Sequence, residues 1–292
     1  MTVVVVGSLN ADLILSGGRI PRPGETTILS GLSRAQGGKG ANQAAVAGAL
    51  GADVRFIGAV GADEAGGAAA DALRSLGVDV SGLITLDAPT GLAVVMVDED
   101  GENAIGIVPG ANAELTPSRV REALAAVEAS SATLLVSLEI PLPTAVAAVE
   151  FAHDLGWTVV LNPAPAQDLP AALISLCTVL TPNEGEAARL SGADGLLASG
   201  AGAVVVTRGA DGATVHEPGR ITRHASVHAD VVDTTGAGDA FSAGLAVALD
   251  RGHELTDAVR FALACGAIAT EGFGARGSLP TTDAAARRMP GS

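Results

Sequence analysis

Seven residues, Asp233-Thr234-Thr235-Gly236-Ala237-Gly238-Asp239, have the types and spacing from which group-transfer chemistry can be built. Small residues sit between two carboxylates. Before them comes an apolar run, Val227 to Val232, that reads as a strand; after them a helical pattern runs from Ala240 to Leu249. At a strand-to-helix turn the N–H groups of Gly236, Ala237 and Gly238 are unpaired donors at the positive end of the helix dipole, and they favour an anion. An anion cradle beside a carboxylate base is what moving a phosphoryl group onto a hydroxyl requires. Asp239 takes the proton, and the cradle holds the charge that develops on the transferring group. The plainer account is a helix start with an aspartate in its first turn. Alone, such a turn is more often structural.

Other residues supply partners. Lysine occurs once, at Lys39 inside Gly37-Gly38-Lys39-Gly40, in a chain whose other strong bases are arginines. A compact ammonium fits so tight a turn better than a planar guanidinium does. Val3 to Val6 is a β-branched run, as in a parallel strand buried on both faces, and it leads to Asn10 and Asp12. In open α/β sheets ligands gather beyond the C-terminal strand ends, although Asx residues are also ordinary turn formers there. Thr181 with Glu184 reads as a capping box with Pro182 at the first helical position, and Asn183 with Glu186 has the same spacing. Helix initiation explains both pairs. Equally, Asn183 and Glu186 suit a hydrated Mg²⁺, which keeps several waters and takes few carboxylates. The turn Thr207-Arg208-Gly209-Ala210-Asp211-Gly212 fits either a plain hairpin or a seat beneath ATP phosphates. The loop Gly272 to Ser278 is rich in free carbonyls.

The elements that must position these groups alternate. Short strands are expected at Leu13 to Leu15 and Glu25 to Ser33, then a helix from Gly37–Ala41 to Leu50. Strand Val54 to Val60, helix Glu64 to Leu76, and strands near Gly91 to Val97 and Asn103 to Val108 follow, the last two joined by a turn at Asp98 to Gly101. A helix from Thr116, strand Leu134 to Leu138 ending at Glu139, helix Thr144 to Leu155, and strands Thr158 to Leu161 and Thr178 to Leu180 continue the rhythm. Between Ser191 and Ala203 there is room for one weak helical turn, before strands Ala203 to Val206 and Ala213 to His216. Leu255 to Thr270 is helical. This succession predicts an α/β fold, a doubly wound and mostly parallel sheet flanked by helices. The strand pairs from about 13–35 and 91–108 do not fit that rhythm and are expected to form a small β-sheet lid on a single domain, 1–292.

Composition excludes several classes. A formal net charge of −15 repels nucleic acid and anionic lipid, and no apolar run reaches membrane-spanning length. The chain opens directly into Val3 with no cleavage signal, so a cytoplasmic location is expected. Cys177 and Cys265 lie in apolar surroundings and read as reduced core residues, and the five histidines, without metal spacing, as surface or turn residues. There is no Walker A motif, nucleophile elbow or dinucleotide fingerprint.

Together, Asn10-Ala11-Asp12, Gly37 to Gln43, Glu139, Asn162 to Ala166, Thr181 to Glu186 and Asp233 to Asp239 resemble the PfkB-type (ribokinase-like) carbohydrate kinase family over nearly the whole chain. The resemblance implies a β lid that doubles as a homodimer interface. It implies Asp239 as the base for a sugar hydroxyl and Gly236, Ala237 and Gly238 as the anion hole. Asn10, Asp12, Gly38, Lys39, Gly40, Ala41, Asn42 and Glu139 would hold the sugar. Asn183 and Glu186 would serve Mg²⁺ (Glu186 through water) and phosphates, while Thr207 to Gly212 with Gly238 would hold ATP. A K⁺ site is implied at Asp233, Thr235, Ala269, Gly272, Gly274 and Ser278. Ribose as the acceptor rests on the resemblance alone. The alternatives are another sugar, a nucleoside, or a non-catalytic sugar-binding protein. No Phe, Trp or Tyr occurs in residues 13–35 or 91–108 to stack a base, which favours a free sugar. The family pattern is broken by the short Ser191 to Ala203 segment and by Leu263, where some members have a histidine near the adenine.

Overall fold

A computed structural model describes residues 2–99 and 103–289. In chain order the strands are β1 (Thr2–Val6), β2 (Asn10–Ser16), β3 (Gly31–Gly37), β4 (Val54–Gly61), β5 (Val78–Leu86), β6 (Gly91–Val97) and β7 (Asn103–Val108). They continue as β8 (Ala132–Ser137), β9 (Thr158–Asn162), β10 (Val179–Leu180), β11 (Ala203–Thr207), β12 (Ala213–Glu217) and β13 (Arg220–His224). The helices are α1 (Lys39–Ala49), α2 (Glu64–Ser75), α3 (Pro117–Ala125), α4 (Leu142–Asp154) and α5 (Ala171–Ile174). They are followed by α6 (Glu184–Arg189), α7 (Gly192–Ala198), α8 (Ala237–Asp250), α9 (Leu255–Ala269) and α10 (Thr282–Arg288).

A nine-stranded sheet runs β13-β12-β11-β10-β9-β8-β1-β4-β5. It is parallel from β11 to β5, with β12 and β13 added antiparallel at one edge. Strand β1 lies inside it, so Val3 to Val6 are fully buried and the run needs no polar alternation. Val3 and Val5 pack with α1, α2, α8 and α9 on one face, and Val4 and Val6 with α3 and α4 on the other. Helices α8 and α9 meet largely through alanines, among them Ala240, Ala243, Ala262 and Ala264. A second sheet, β3-β2-β6-β7, joins two antiparallel pairs through the parallel β2/β6 contact. Both expected sheets are therefore present.

Several expectations change. Val227 to Val232 forms no strand; the chain from 225 to 236 is irregular, and Val231 and Val232 are exposed. An apolar run with no sheet partner on either side has nothing to complete its hydrogen bonds as a strand. The strand expected at Glu25 to Ser33 begins only at Gly31. Asn10 and Asp12 lie within β2 rather than on a turn after β1. Strands β5 and β13 were not expected, and α7 is longer than one turn. His224 is buried at the end of β13, where burial and the nearby Arg260 and Arg220 lower its pKa. The turn expected at Asp98 to Gly101 lies partly outside the described residues. Among those residues no helix is long and apolar enough to cross a membrane. Cys177 and Cys265 are free and buried.

Candidate active site

The site forms where the C-terminal ends of β1, β8 and β9 meet the first turns of α1 and α8. Chain packing at this point is tight: a Cβ on Gly40 would stand 2.6 Å from the Gly7 Cα, so α1 starts directly over the end of β1. That contact brings Lys39, at the head of α1, beside Glu139, just past β8. The Lys39 N–H donates to Glu139 Oε2 at 3.0 Å, and the Ser8 hydroxyl donates to the same oxygen at 2.5 Å. One turn into α1, Asn42 and Gln43 face α8. Asn42 Nδ2 donates to Asp239 Oδ2 at 3.1 Å and Gln43 Nε2 to Asp239 Oδ1 at 3.2 Å. Gln43 also donates to Asn162 Oδ1 at 3.1 Å.

Asp239 is buried in the first turn of α8. Burial raises its pKa, opposed by the Lys39 charge and the Asn42 and Gln43 donors, with Glu139 adding repulsion. Burial works to lower the Lys39 pKa, but the carboxylates of Asp239, Glu139 and Glu186 outweigh it and carry the value above normal. The result is a carboxylate and an ammonium that feel each other's charge and line one space. That space is a cavity of ≈ 180 Å³ lined by Lys39, Asn162, Thr181, Asn183, Glu186, Gly236, Gly238 and Asp239.

The helix start is built for an anion. Gly236 caps α8 with φ 80° and ψ −3°, a left-handed geometry that suits glycine, and a Cβ there would stand 2.7 Å from the Ala275 Cα. The Ala237 N–H donates to Thr234 O at 3.2 Å, whereas among the described residues no protein acceptor meets the N–H of Gly236 or Gly238. Two donors are thus free where three were expected.

A second cavity of ≈ 400 Å³ adjoins the first, sharing Thr207 and Gly238. Its walls include the apolar side chains of Val227, Val231, Phe241 and Leu263, the kind of lining that small-molecule sites use. Of the Thr207 to Gly212 turn, Thr207, Gly209, Ala210 and Gly212 line it; Arg208 instead pairs with Glu184 at 3.0 Å, and Asp211 is not part of the wall. Asn183 and Glu186 form the capping box of α6: each main-chain N–H donates to the other's side chain at 2.8 Å. The box expected from Thr181 and Glu184 is absent, because the Thr181 hydroxyl bonds Ser242 at 2.9 Å instead.

On the side of the smaller sheet, Asn10 Oδ1 accepts from Asn112 Nδ2 at 2.8 Å, while Asn112 also pins Leu9. Asp12 Oδ1 is buried with no hydrogen-bond partner. Burial and the Glu139 charge, opposed by Arg276, push the Asp12 carboxyl up to about 6. An unpaired buried acceptor asks for a ligand donor. Arg276 donates from Nε to Asn42 Oδ1 at 3.0 Å, and burial lowers its pKa to about 10 against the pull of Asp12 and Asp239. Gly38, the residue before α1, and Ala41, packed in the apolar core, are buried and line neither cavity.

The residues expected for a monovalent cation also converge. Asp233 Oδ1 accepts from the Thr235 N–H at 2.9 Å and from its hydroxyl at 2.7 Å; Oδ2 accepts from the Gly274 N–H at 2.8 Å. These bonds overcome burial and hold the Asp233 pKa below its ordinary value. Thr270 O accepts from Val232 and Asp233, so the end of α9 and the loop through Gly272, Gly274 and Ser278 are stitched to the segment before α8. Sequence reasoning missed Arg276, Gln43, Ser8 and Asn112. Of these, Arg276 alone carried a signal, a cation within a glycine-rich loop.

Comparison with known proteins agrees with this geometry. The model of the pfkB family carbohydrate kinases matches residues 1–282. A ribokinase of Haemophilus influenzae is 39% identical over 96% of this chain and 95% of its own length. The crystal structure of the Thermotoga maritima ribokinase has a TM-score of 0.89, 31% identity and 98% coverage of both chains. The structure of the Arabidopsis thaliana ribokinase complexed with ribose and ATP also has a TM-score of 0.89, with 31% identity and 99% coverage of both.

Proposed function

Because this chain belongs to the pfkB family of carbohydrate kinases, we propose that it transfers the γ-phosphoryl group of ATP to the primary hydroxyl of D-ribose, giving ribose 5-phosphate and ADP. The observation that carries this reading is the cavity in which Asp239, Lys39 and the head of α8 face one another. Asp12, Asn10, Asn42, Glu139 and Lys39 hold the sugar hydroxyls, with the orphaned Asp12 Oδ1 accepting from one of them. Asp239 takes the proton of the attacking hydroxyl. The N–H groups of Gly236 and Gly238, joined by Lys39, hold charge on the transferring group, where fixed dipoles in a dry site act most strongly. ATP occupies the larger cavity, its base against the apolar lining and its phosphates passing Gly238 into the smaller one.

Mg²⁺ bound with ATP supplies charge neutralisation on the phosphates. The donor chemistry fits: Glu186 lines the phosphate cavity, and Oε2 alone of its two oxygens is taken by the capping box. For potassium, a carboxylate and main-chain carbonyls around Asp233, Ala269, Gly272, Gly274 and Ser278 are the oxygen donors such an ion takes. Asp233 and Thr235 also brace the loop that abuts the anion hole. A homodimer through the smaller sheet and a cytoplasmic location complete the reading. They are supported by the exposed Ile105 and Ile107 and by two buried free thiols.

The test is ADP release over ribose, deoxyribose, fructose and inosine, with Asp239→Asn alongside. Turnover with ribose should lead, and the variant should lose about 10²- to 10⁴-fold in kcat while sugar binding survives. No ADP from any of them would leave a sugar-binding protein instead. An Asp239→Asn variant of near wild-type rate would remove the base.

A further inference from the structure

We propose that Arg276 is a positioning residue for the base: it fixes the amide of Asn42 so that Nδ2, rather than Oδ1, faces Asp239. This rests on the kinase reading above. The geometry is a three-part line. Arg276 Nε donates to Asn42 Oδ1 at 3.0 Å, and Asn42 Nδ2 donates to Asp239 Oδ2 at 3.1 Å. An amide has one oxygen and one nitrogen, so a donor on one flank and a carboxylate on the other specify the same orientation twice. Turned over, Asn42 would set its oxygen against the carboxylate and its NH₂ against the guanidinium. Both contacts would become repulsive.

The way Arg276 is held supports steering rather than charge neutralisation. Among the described residues no carboxylate lies within ion-pair distance of it, and its one hydrogen bond is the one to Asn42. Its charge is nevertheless felt by Asp12 and Asp239. The side chain comes from the loop between Gly274 and Gly277, whose neighbour Ala275 packs on Gly236. The same loop therefore braces the anion hole with its backbone and the base with its side chain. Without Arg276 the Asn42 amide keeps only the Asp239 contact, and its terminal torsion, which is broad and roughly two-fold, is released.

Steady-state kinetics with ribose and ATP on wild type, Arg276→Met, Arg276→Gln, Asn42→Ala and the double variant Arg276→Met/Asn42→Ala test this. Arg276→Met should lower kcat about 10- to 100-fold, since small misplacements at a reacting centre cost that much, with the KM for ATP unchanged. Arg276→Gln, which keeps an N–H donor, should recover most of the loss. The double variant should match Asn42→Ala within about twofold, because Arg276 acts through that side chain. An unchanged kcat in Arg276→Met would overturn the proposal. So would multiplying losses in the double variant, or recovery of Arg276→Met by raised potassium, which would place the fault in the cation loop. Should Arg276→Met fail to fold, as judged by thermal melting, Arg276→Gln against Arg276→Leu decides on the same terms. Wild-type turnover separates the two levels: its absence sinks the kinase reading, whereas its presence with an indifferent Arg276→Met sinks only this inference.

Discussion

Asp12 shows at a single residue how binding and stability oppose one another. Its ordinary pKa is 3.8, and in the fold burial lifts it to about 6. Between those values the folded chain binds a proton that the unfolded chain has released. Stability therefore falls as pH rises from 3.8 to about 6, and the cost persists at neutral pH. Asp12→Asn removes that cost. Its Tm should exceed wild type at pH 8, and the advantage should vanish near pH 4, as read by differential scanning calorimetry. The same variant should raise the KM for the sugar, and in wild type that KM should climb as pH falls through about 6. A variant melting no higher than wild type at pH 8 would mean the carboxylate is not strained. At this scale much was legible: Asp239 and Lys39 declared themselves by type and by glycine neighbours. Asn112 and Gln43 did not, because a neutral amide becomes functional only through what the fold sets opposite it.

The elements that matter most are the entry to α8 and the loop that supports it. Gly236 sits at φ 80° with its α-carbon against Ala275, so Gly236→Ala adds a methyl where there is no room and a left-handed strain of about 1–2 kcal/mol. The variant should melt lower and lose at least about 10-fold in kcat, because the freed donors would swing away from the phosphoryl group. Melting curves and saturating kinetics separate the two effects. The segment 230–235 is held by Thr270 O and Gly274, so a cation bound there would stiffen the same entry from behind. Initial rates should rise severalfold from choline to potassium buffer, and Asp233→Ala should abolish the response. Equal rates in both buffers would remove the cation site. The sequence read this region wrongly in one respect. Val227 to Val232 has the composition of a strand, but the sheet ends at β13, and the run instead walls the larger cavity through Val227 and Val231. Composition reports what a segment can bury, not whether a neighbouring strand is there to pair with it. Strand β5 went unread for the converse reason: its Val78, Val80 and Leu86 are interrupted by Asp79, Ser81 and Gly82, and pairing with β4 completes it.

Across the whole molecule the α/β rhythm and the existence of two sheets were readable, whereas strand order was not, since non-local pairing leaves no periodic mark on a single chain. The register of the smaller sheet nevertheless sets its role. Alternation along β2 puts Asn10, Asp12 and Ile14 on one face, and the pairing carries that face through Ala93 and Val95 of β6 to Ile107 and Ile105 of β7. The face thus begins at the residues proposed to hold the sugar and ends as an apolar stripe, with Ile105 57% and Ile107 49% exposed. Isolated exposed aliphatics need no explanation, but a β-branched stripe continuous with a binding wall is the pattern of a covered surface. A second copy laid on that stripe would close the outer side of the sugar site as well as bury the isoleucines. Ile105→Asp, two residues further from Asp12 than Ile107, places a charge in the stripe without adding one beside the sugar. Sedimentation equilibrium should show wild type at twice the chain mass and the variant at one chain mass. The sugar KM of the variant should rise several-fold while the KM for ATP, bound at the far end of the main sheet, stays put. Leu155→Asp, at a similarly exposed site just past the end of α4, should change neither quantity. A wild-type protein that sediments as a single chain at micromolar concentration, or an Ile105→Asp variant that keeps the doubled mass, would leave the stripe uncovered and return the lid to the service of its own chain.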